Sequence, residues 1–250
     1  MILYGHRGAS VELPENTLEA FERALAVGAD AIETDVHVTS DGHVVVHHDP
    51  SGQRMAADGR LVAQSTLTEV RRMNVGFGFR DANRQGIGDK SFRVPTLDEA
   101  LERFPDVVFN VDIKPQHGAS FLVVECVRRH RAEDRVLLTS FYDAVVADVR
   151  RDGYRGQTGL SQRAAVRSLL LPESAPAFLR ARGERIQLPT RIGPKNLLDR
   201  ALVSRLHALG LMVDFWVIND EATARRAEEV GADGVMTDDP RLLARVLGKA

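Results

Sequence analysis

Residues 31–48 read AIETDVHVTSDGHVVVHH. Two apolar runs, 31–39 and 43–48, flank Ser40-Asp41-Gly42, a pattern that predicts two strands joined by a tight hairpin. Side chains alternate between the faces of a strand, so Glu33 and Asp35 share one face. Two carboxylates that close repel each other unless a cation or a proton lies between them. With Asp41-Gly42 as a two-residue loop, Asp35 would lie opposite His48; a three-residue loop would slip that pairing by one.

Outward from this hairpin, short apolar runs alternate with longer amphipathic ones. Residues 2–5 read as a strand and 16–27 as a helix, with Asn16 as N-cap and Glu19 completing a capping box. Downstream, residues 50–93 are polar and glycine-rich and read as an insertion or lid, with a short helix at 68–73. The rhythm then resumes. Helices are expected at 97–103, 119–129, 142–151, 198–209 and 221–230. Strands are expected at 107–113, 135–139, 156–159, 185–188, 212–217 and 234–236. GADAIETD (28–35) and GADGVMTD (231–238) look alike and hint at repeated βα units. Such alternation means a largely parallel sheet covered by helices. Counting the hairpin as one barrel strand plus an antiparallel partner gives eight parallel strands. The fold class is therefore α/β, a TIM (β/α)₈ barrel with a small insertion after the strand ending near His48. A barrel of about 250 residues is one unit, so 1–250 is expected to be a single domain. The alternative is an open doubly wound sheet, but no GxGxxG follows a strand.

The bulk numbers exclude several classes. Lys plus Arg number 33 and Asp plus Glu 35, a net charge of −2. That leaves no electrostatic footprint for nucleic acid or an anionic membrane. No apolar run approaches the roughly 20 residues of a membrane span. The N-terminal residues carry neither a basic n-region nor an h-region, which predicts a cytoplasmic location. The one cysteine, Cys126, can form no internal disulfide and reads as a small buried apolar residue rather than a nucleophile.

Polar residues collect at the C-terminal ends of the predicted strands, where TIM barrels keep their active sites. Asp112, on the strand 107–113, offers a third carboxylate beside Glu33 and Asp35. Three hard oxygen ligands suit one divalent cation, Mg²⁺ or Ca²⁺. Zinc fits less well, because the chain has no HExxH or CxxC pattern. The plainer reading is that these acids pair with barrel arginines. His6 and His48 are the natural acid–base pair, since imidazole titrates near neutral pH. Arg7 can hold a phosphate with its planar fork. Lys114, one of only four lysines, offers a compact positive charge. Trp216 can wall the pocket or belong to the core. His37, His43, His117, His130 and His207 read as surface or core residues, with His117 the one best placed to reach a substrate. Glu15 and Asn16 read as serving the helix start.

Together these residues resemble the glycerophosphodiester phosphodiesterase family. The matching runs are His6-Arg7-Gly8-Ala9, Pro14-Glu15-Asn16-Thr17, Gly28-Ala29-Asp30 with Ile32-Glu33-Thr34-Asp35-Val36, and Thr39-Ser40-Asp41-Gly42. They continue through Val45-Val46-His47-His48-Asp49, Pro95-Thr96-Leu97, Asn110-Val111-Asp112-Ile113-Lys114, Ser140-Phe141, Trp216-Val217-Ile218-Asn219 and Gly231-Ala232-Asp233-Gly234 with Thr237-Asp238. The resemblance implies a somewhat distorted TIM barrel, His6 and His48 as general acid and base, and Glu33, Asp35 and Asp112 as metal ligands. It places Arg7 and Lys114 on the phosphate and Trp216 near the glycerol or the leaving group. The implied partner is a small-molecule glycerophosphodiester, cleaved to glycerol 3-phosphate and an alcohol. One departure stands out: the family commonly has Glu where this chain has Asp112. A carboxylate one methylene shorter predicts surviving activity with altered metal preference. The competing readings are a phospholipase D-like enzyme for lysophospholipids, with an apolar mouth from residues 75–79 and Phe92, and a catalytically silent phosphate-binding barrel. A nucleic-acid phosphodiesterase is disfavoured by the charge balance. The oligomeric state is not legible.

Overall fold

The computed structural model describes residues 1–81, 85–88, 90–116, 118–172, 174 and 183–249. Seven strands run parallel in the order β5 (Val136–Thr139), β4 (Val108–Ile113), β2 (Ala31–Val38), β1 (Ile2–His6), β10 (Gly234–Thr237), β9 (Met212–Trp216), β6 (Arg185–Pro189), with a separate antiparallel pair β7 (Arg191–Ile192) and β8 (Lys195–Asn196) off this sheet. The eighth stave is the segment around Thr158–Gly159. It bridges Leu138 of β5 on one side and Arg185 of β6 on the other, and so joins the two ends of the sheet. The sequence predicted a strand at 156–159; the structure has only these two bridges there. The result is a curled α/β barrel whose weakest seam lies between β5 and β6.

Alternation along the strands separates two environments. Leu3, Ile32, Phe109, Val111, Val213, Phe215 and Val235 point outward into the layer beneath the helices. That layer forms two apolar clusters. One packs α1 (Leu18–Ala26), α4 (Leu97–Arg103), α5 (Ala119–Arg129) and α6 (Asp143–Arg151) on β2, β4 and β5. The other packs α7 (Gln162–Leu170), α8 (Arg200–Ala208), α9 (Glu221–Val230) and α10 (Pro240–Val246) on β6, β9 and β10. The intervening strand positions turn toward the barrel axis. Tyr4, Ala31 and Met236 form a small inner apolar cluster with Trp216. Near them the Arg185 guanidinium forks onto Asp214 at 2.6 and 2.7 Å, both side chains being almost fully buried. A buried charge needs such pairing to be tolerated.

The two GAD repeats occupy equivalent places before β2 and β10. Asp30 accepts the backbone N–H of Leu3, and Asp233 that of Val213, each at 2.7 Å. Each carboxylate therefore ties the start of one strand to its neighbour.

The hairpin of β2 and β3 (Val44–Val46) closes through a three-residue loop, with Val36 paired to Val46 and Val38 to Val44. Asp35 thus lies opposite His47, whose N–H donates to the Asp35 carbonyl, so the two-residue register is corrected. Helix α1 begins one residue later than predicted: Thr17 is the N-cap and accepts from the Ala20 N–H. Asn16 is instead in the left-handed region at φ 57°, and its side chain is buried in the barrel mouth.

The insertion folds into α2 (Gln53–Ala56), a 3₁₀ turn at Val62–Gln64 and α3 (Leu67–Val70). Val75, Phe79 and Phe92 are buried, and Val75 and Phe92 pack with Met55, Val62, Val70, Met73 and Val94. They form a small core over β3 and offer no apolar mouth, although Phe77 is exposed. No helix among the described residues is long and apolar enough to cross a membrane.

Candidate active site

The parallel register fixes the geometry of the barrel mouth. His6 of β1 is the lateral neighbour of Glu33 on β2, and Asp35 is the neighbour of Asp112 on β4. Adjacent strands lie about 4.8 Å apart, so the three carboxylates crowd one small region. His6, Arg7, Glu33, Asp35, His48, Asp112, Lys114 and Trp216 all line one cavity of about 170 Å³. The sequence singled out each of the eight, and the fold brings all of them together. His117 lies outside the described residues.

Lys114 Nζ sits 2.6 Å from both Asp35 Oδ1 and Asp112 Oδ2. Arg7 Nε lies 3.1 Å from Asp35 Oδ2, an ion pair too poorly angled for a hydrogen bond. Both Asp35 oxygens thus lie against protein cations. Burial alone would raise its pKa, but Lys114 and Arg7 outweigh that and hold it below the ordinary carboxylate range. Glu33 has only the His6 ring, with Nε2 3.8 Å from Oε2. Burial first, and the Asp35 charge second, push its carboxyl well above the ordinary value. Asp112 is also raised, by burial, against the opposing pull of Lys114. Glu33 Oε2 and Asp112 Oδ1 are buried without a hydrogen-bond partner. Unpaired buried carboxylate oxygens are costly, and two of them facing one cavity fit a bound cation.

The two histidines are held alike. Asp238 Oδ1 is 2.6 Å from His6 Nδ1, and Asp49 Oδ1 is 2.8 Å from His48 Nδ1. Each carboxylate fixes ring orientation and leaves Nε2 as the nitrogen available to the cavity. Burial would lower the His6 pKa, but Glu33 and Asp238 more than offset it and raise it above the usual value. Asp238 is held in turn by the Asn219 amide and the Ser10 hydroxyl.

Several residues that the sequence reading left aside also belong here. Asn16 donates to Asp35 Oδ2 and accepts from the Thr34 hydroxyl, so it orients a candidate ligand rather than starting a helix. Glu15 receives Arg7 at 3.0 Å and both terminal nitrogens of Arg54. Arg54 Nε also donates to Asp49 at 2.6 Å. A continuous chain of ion pairs thus runs Arg7–Glu15–Arg54–Asp49–His48. Their spacing from 7 to 54 carries no periodic signal; the runs Pro-Glu-Asn-Thr and His-His-Asp were the only hint. His37, read as structural, donates to or accepts from nothing in the cavity but contacts the His48 carbonyl. Arg7 adopts a left-handed φ of 58°, and Gly8 follows at 90°. A Cβ on Gly8 would lie 2.6 Å from the Ala20 backbone, so only glycine lets the chain turn here against α1.

Among the described residues a second group, Asp98, Cys126 and His130, has metal-ligating atoms within 4.8 Å of one another. It lies between α4 and α5, away from the mouth. Arg129 and His130 already donate to Asp98 Oδ1, and Cys126 is fully buried with its thiol pKa pushed up to about 12 by burial.

Residues 6–242 match the model of the glycerophosphoryl diester phosphodiesterase family. The chain is 29% identical to a glycerophosphodiester phosphodiesterase of Caldanaerobacter subterraneus subsp. tengcongensis, covering 99% of this chain and 98% of that one. Its fold resembles a solved glycerophosphoryl diester phosphodiesterase from Silicibacter pomeroyi, described as putative, with a TM-score of 0.79 and 28% identity over 99% and 92% of the two chains. It also resembles an Oleispira antarctica phosphodiesterase solved with the product sn-glycerol-3-phosphate, with a TM-score of 0.79 and 23% identity over 99% and 97%. A family match over nearly the whole length, on a barrel of the same fold, makes this chain an enzyme of the glycerophosphoryl diester phosphodiesterase family.

Proposed function

We propose that the chain hydrolyses glycerophosphodiesters to glycerol 3-phosphate and an alcohol, using one divalent cation, Mg²⁺ or Ca²⁺. The observation that carries this reading is the pair of aspartate-held histidines, His6 and His48, lining one cavity with three crowded carboxylates. Phosphodiester cleavage needs a proton removed from the attacking oxygen and one given to the leaving alkoxide, and two imidazoles near neutral pH supply both. Glu33, Asp35 and Asp112 would hold the cation. When bound it would offset phosphate charge and polarise a phosphoryl oxygen. Arg7 and Lys114 provide further positive charge for the phosphate. Trp216 walls the cavity beside Phe141, with ring centroids 6.0 Å apart.

The test is metal-stripped protein with glycerophosphocholine, with and without Mg²⁺ or Ca²⁺, and glycerol 3-phosphate read through a coupled dehydrogenase. Metal-dependent product is the expected outcome. Binding of the diester without turnover under any divalent metal would instead make this a silent phosphate-binding barrel.

A further inference from the structure

The seam between α4 and α5 gathers three donors of different kinds. Asp98 lies in the first turn of α4. Cys126 lies in α5, and His130 caps the C-terminal end of that helix. The His130 N–H donates to the Cys126 carbonyl at 3.3 Å, so the helical turn carries through and the two side chains share a face. One ligand atom from each of the three residues lies within 4.8 Å of the other two. Bonds to zinc run about 2.0–2.3 Å, so atoms of one tetrahedral shell stand about 3.5 Å apart, and adjustments of about 1 Å would close this group on an ion. None of the three residues lines the barrel-mouth cavity.

Ion pairing accounts for only part of this arrangement. Arg129 Nε and Nη2 donate to Asp98 Oδ1 at 3.1 and 2.7 Å, and His130 Nε2 lies 2.9 Å from the same oxygen. None of these bonds uses Oδ2. The Arg129 side chain is 62% exposed, so its pair with Asp98 is worth little and it is free to swing into water. Cys126 is fully buried and His130 is 21% exposed, which puts the thiol at the inner end of the group and the imidazole at its rim. Burial keeps that thiol protonated, so an ion must displace its proton to solvent. Mg²⁺ and Ca²⁺ prefer oxygen and do not do so, whereas Zn²⁺ and Co²⁺ take thiolate readily. Thiolate and carboxylate together balance a divalent charge. The neutral imidazole makes a third ligand and leaves a fourth position for water.

We propose that Asp98, Cys126 and His130 form a second metal site, for one thiophilic divalent ion such as Zn²⁺, entered when the Arg129 side chain swings out to solvent. The site is separate from the carboxylates of the barrel mouth and does not depend on the reaction proposed there. A bound ion would tie the first turn of α4 to the last turn of α5 and stabilise that side of the barrel.

The chain has one cysteine, so absorption from a thiolate–metal bond can come only from Cys126. The experiment titrates metal-stripped protein with Co²⁺, in excess Mg²⁺ to occupy the barrel mouth. The expected result is a thiolate-to-cobalt charge-transfer band that saturates at one equivalent and is displaced by Zn²⁺. Asp98→Asn and His130→Gln should each weaken Co²⁺ binding by about tenfold or more. Arg129→Gln should tighten it, because a competing cation is gone. Zn²⁺ should raise the thermal midpoint of the wild type but not that of Cys126→Ser. Absence of the band in the wild-type protein would overturn the site outright, with no variant required to fold. A band of unchanged affinity in both Asp98→Asn and His130→Gln would overturn the three-ligand set. Binding no tighter in Arg129→Gln would overturn the entry route. An equal rise in thermal midpoint in Cys126→Ser would overturn the tie between α4 and α5.

Discussion

His6 and His48 come from different chain segments yet share one device, an aspartate on Nδ1. On the proposed mechanism, replacing either by Ala removes one proton-transfer group, and kcat is expected to fall by roughly 10²–10⁴. Circular dichroism should show an intact fold; near-wild-type turnover in a folded variant would take that residue out of the mechanism. Asp112 tests the ligand set. Its Oδ2 is taken by Lys114 while Oδ1 is buried and unpartnered. Asp112→Glu lengthens the arm by one methylene and should change the relative activation by Mg²⁺, Mn²⁺ and Ca²⁺. Identical activation profiles in the two proteins would mean position 112 does not touch the metal. These residues were legible in the sequence because strand periodicity and chemical type act locally. Asn16 was misread because a capping pattern was satisfied by its neighbour Thr17, which left the amide free to turn to Asp35.

At the scale of elements, the insertion contributes more than cover. Helix α2 carries Arg54, whose fork holds Glu15 while its Nε holds Asp49. Through these two acids it fixes both Arg7 and His48. Arg54→Ala should lower kcat/KM by roughly tenfold or more, the usual loss when a partner of a site residue is removed. Arg54→Lys should recover only part of it, since an ammonium cannot span both carboxylates as a planar fork does. Measuring kcat and KM separately locates the effect: a loss in kcat points to His48, a rise in KM to Arg7. Unaltered values in Arg54→Ala would reduce the insertion to packing. The β2–β3 hairpin shows a related limit of sequence reading. Its strands were evident, but its loop length, and so its register, depended on one residue. His48 reaches the cavity all the same, because β3 ends at Val46 and the chain turns at the strand end.

For the whole molecule, acid is the informative stress. His37 is buried, and burial pulls its pKa down to about 4 from an ordinary 6.5. The unfolded chain therefore takes up the proton first as the pH falls. Stability is full above about pH 6.5, declines between 6.5 and 4, and the decline from this residue ends below 4. The total is about 3 kcal/mol by order of magnitude. His47, lowered chiefly by burial, acts in the same direction. Urea midpoints at pH 7.5 and pH 5 should differ, and His37→Gln should narrow the gap. A gap just as wide in the variant would assign the acid sensitivity to other groups.

The alternation of strand and helix, the inward set of polar residues and the family were all decided by the sequence alone. The reason is that side-chain periodicity is a local property of the backbone: Glu33 and Asp35 must share a face of β2 wherever that strand goes. Tertiary structure decided what depends on distant chain segments meeting. It set the lateral pairing of Asp35 with Asp112, the bridge of Thr158–Gly159 that joins β5 to β6, and the Arg54 link from the insertion to two site residues. It also placed an apolar opening between α7 and β6, not in the insertion, where Val75, Phe79 and Phe92 are buried. Apolar composition says that a residue prefers company, and only the packing of the whole chain determines which neighbours provide it.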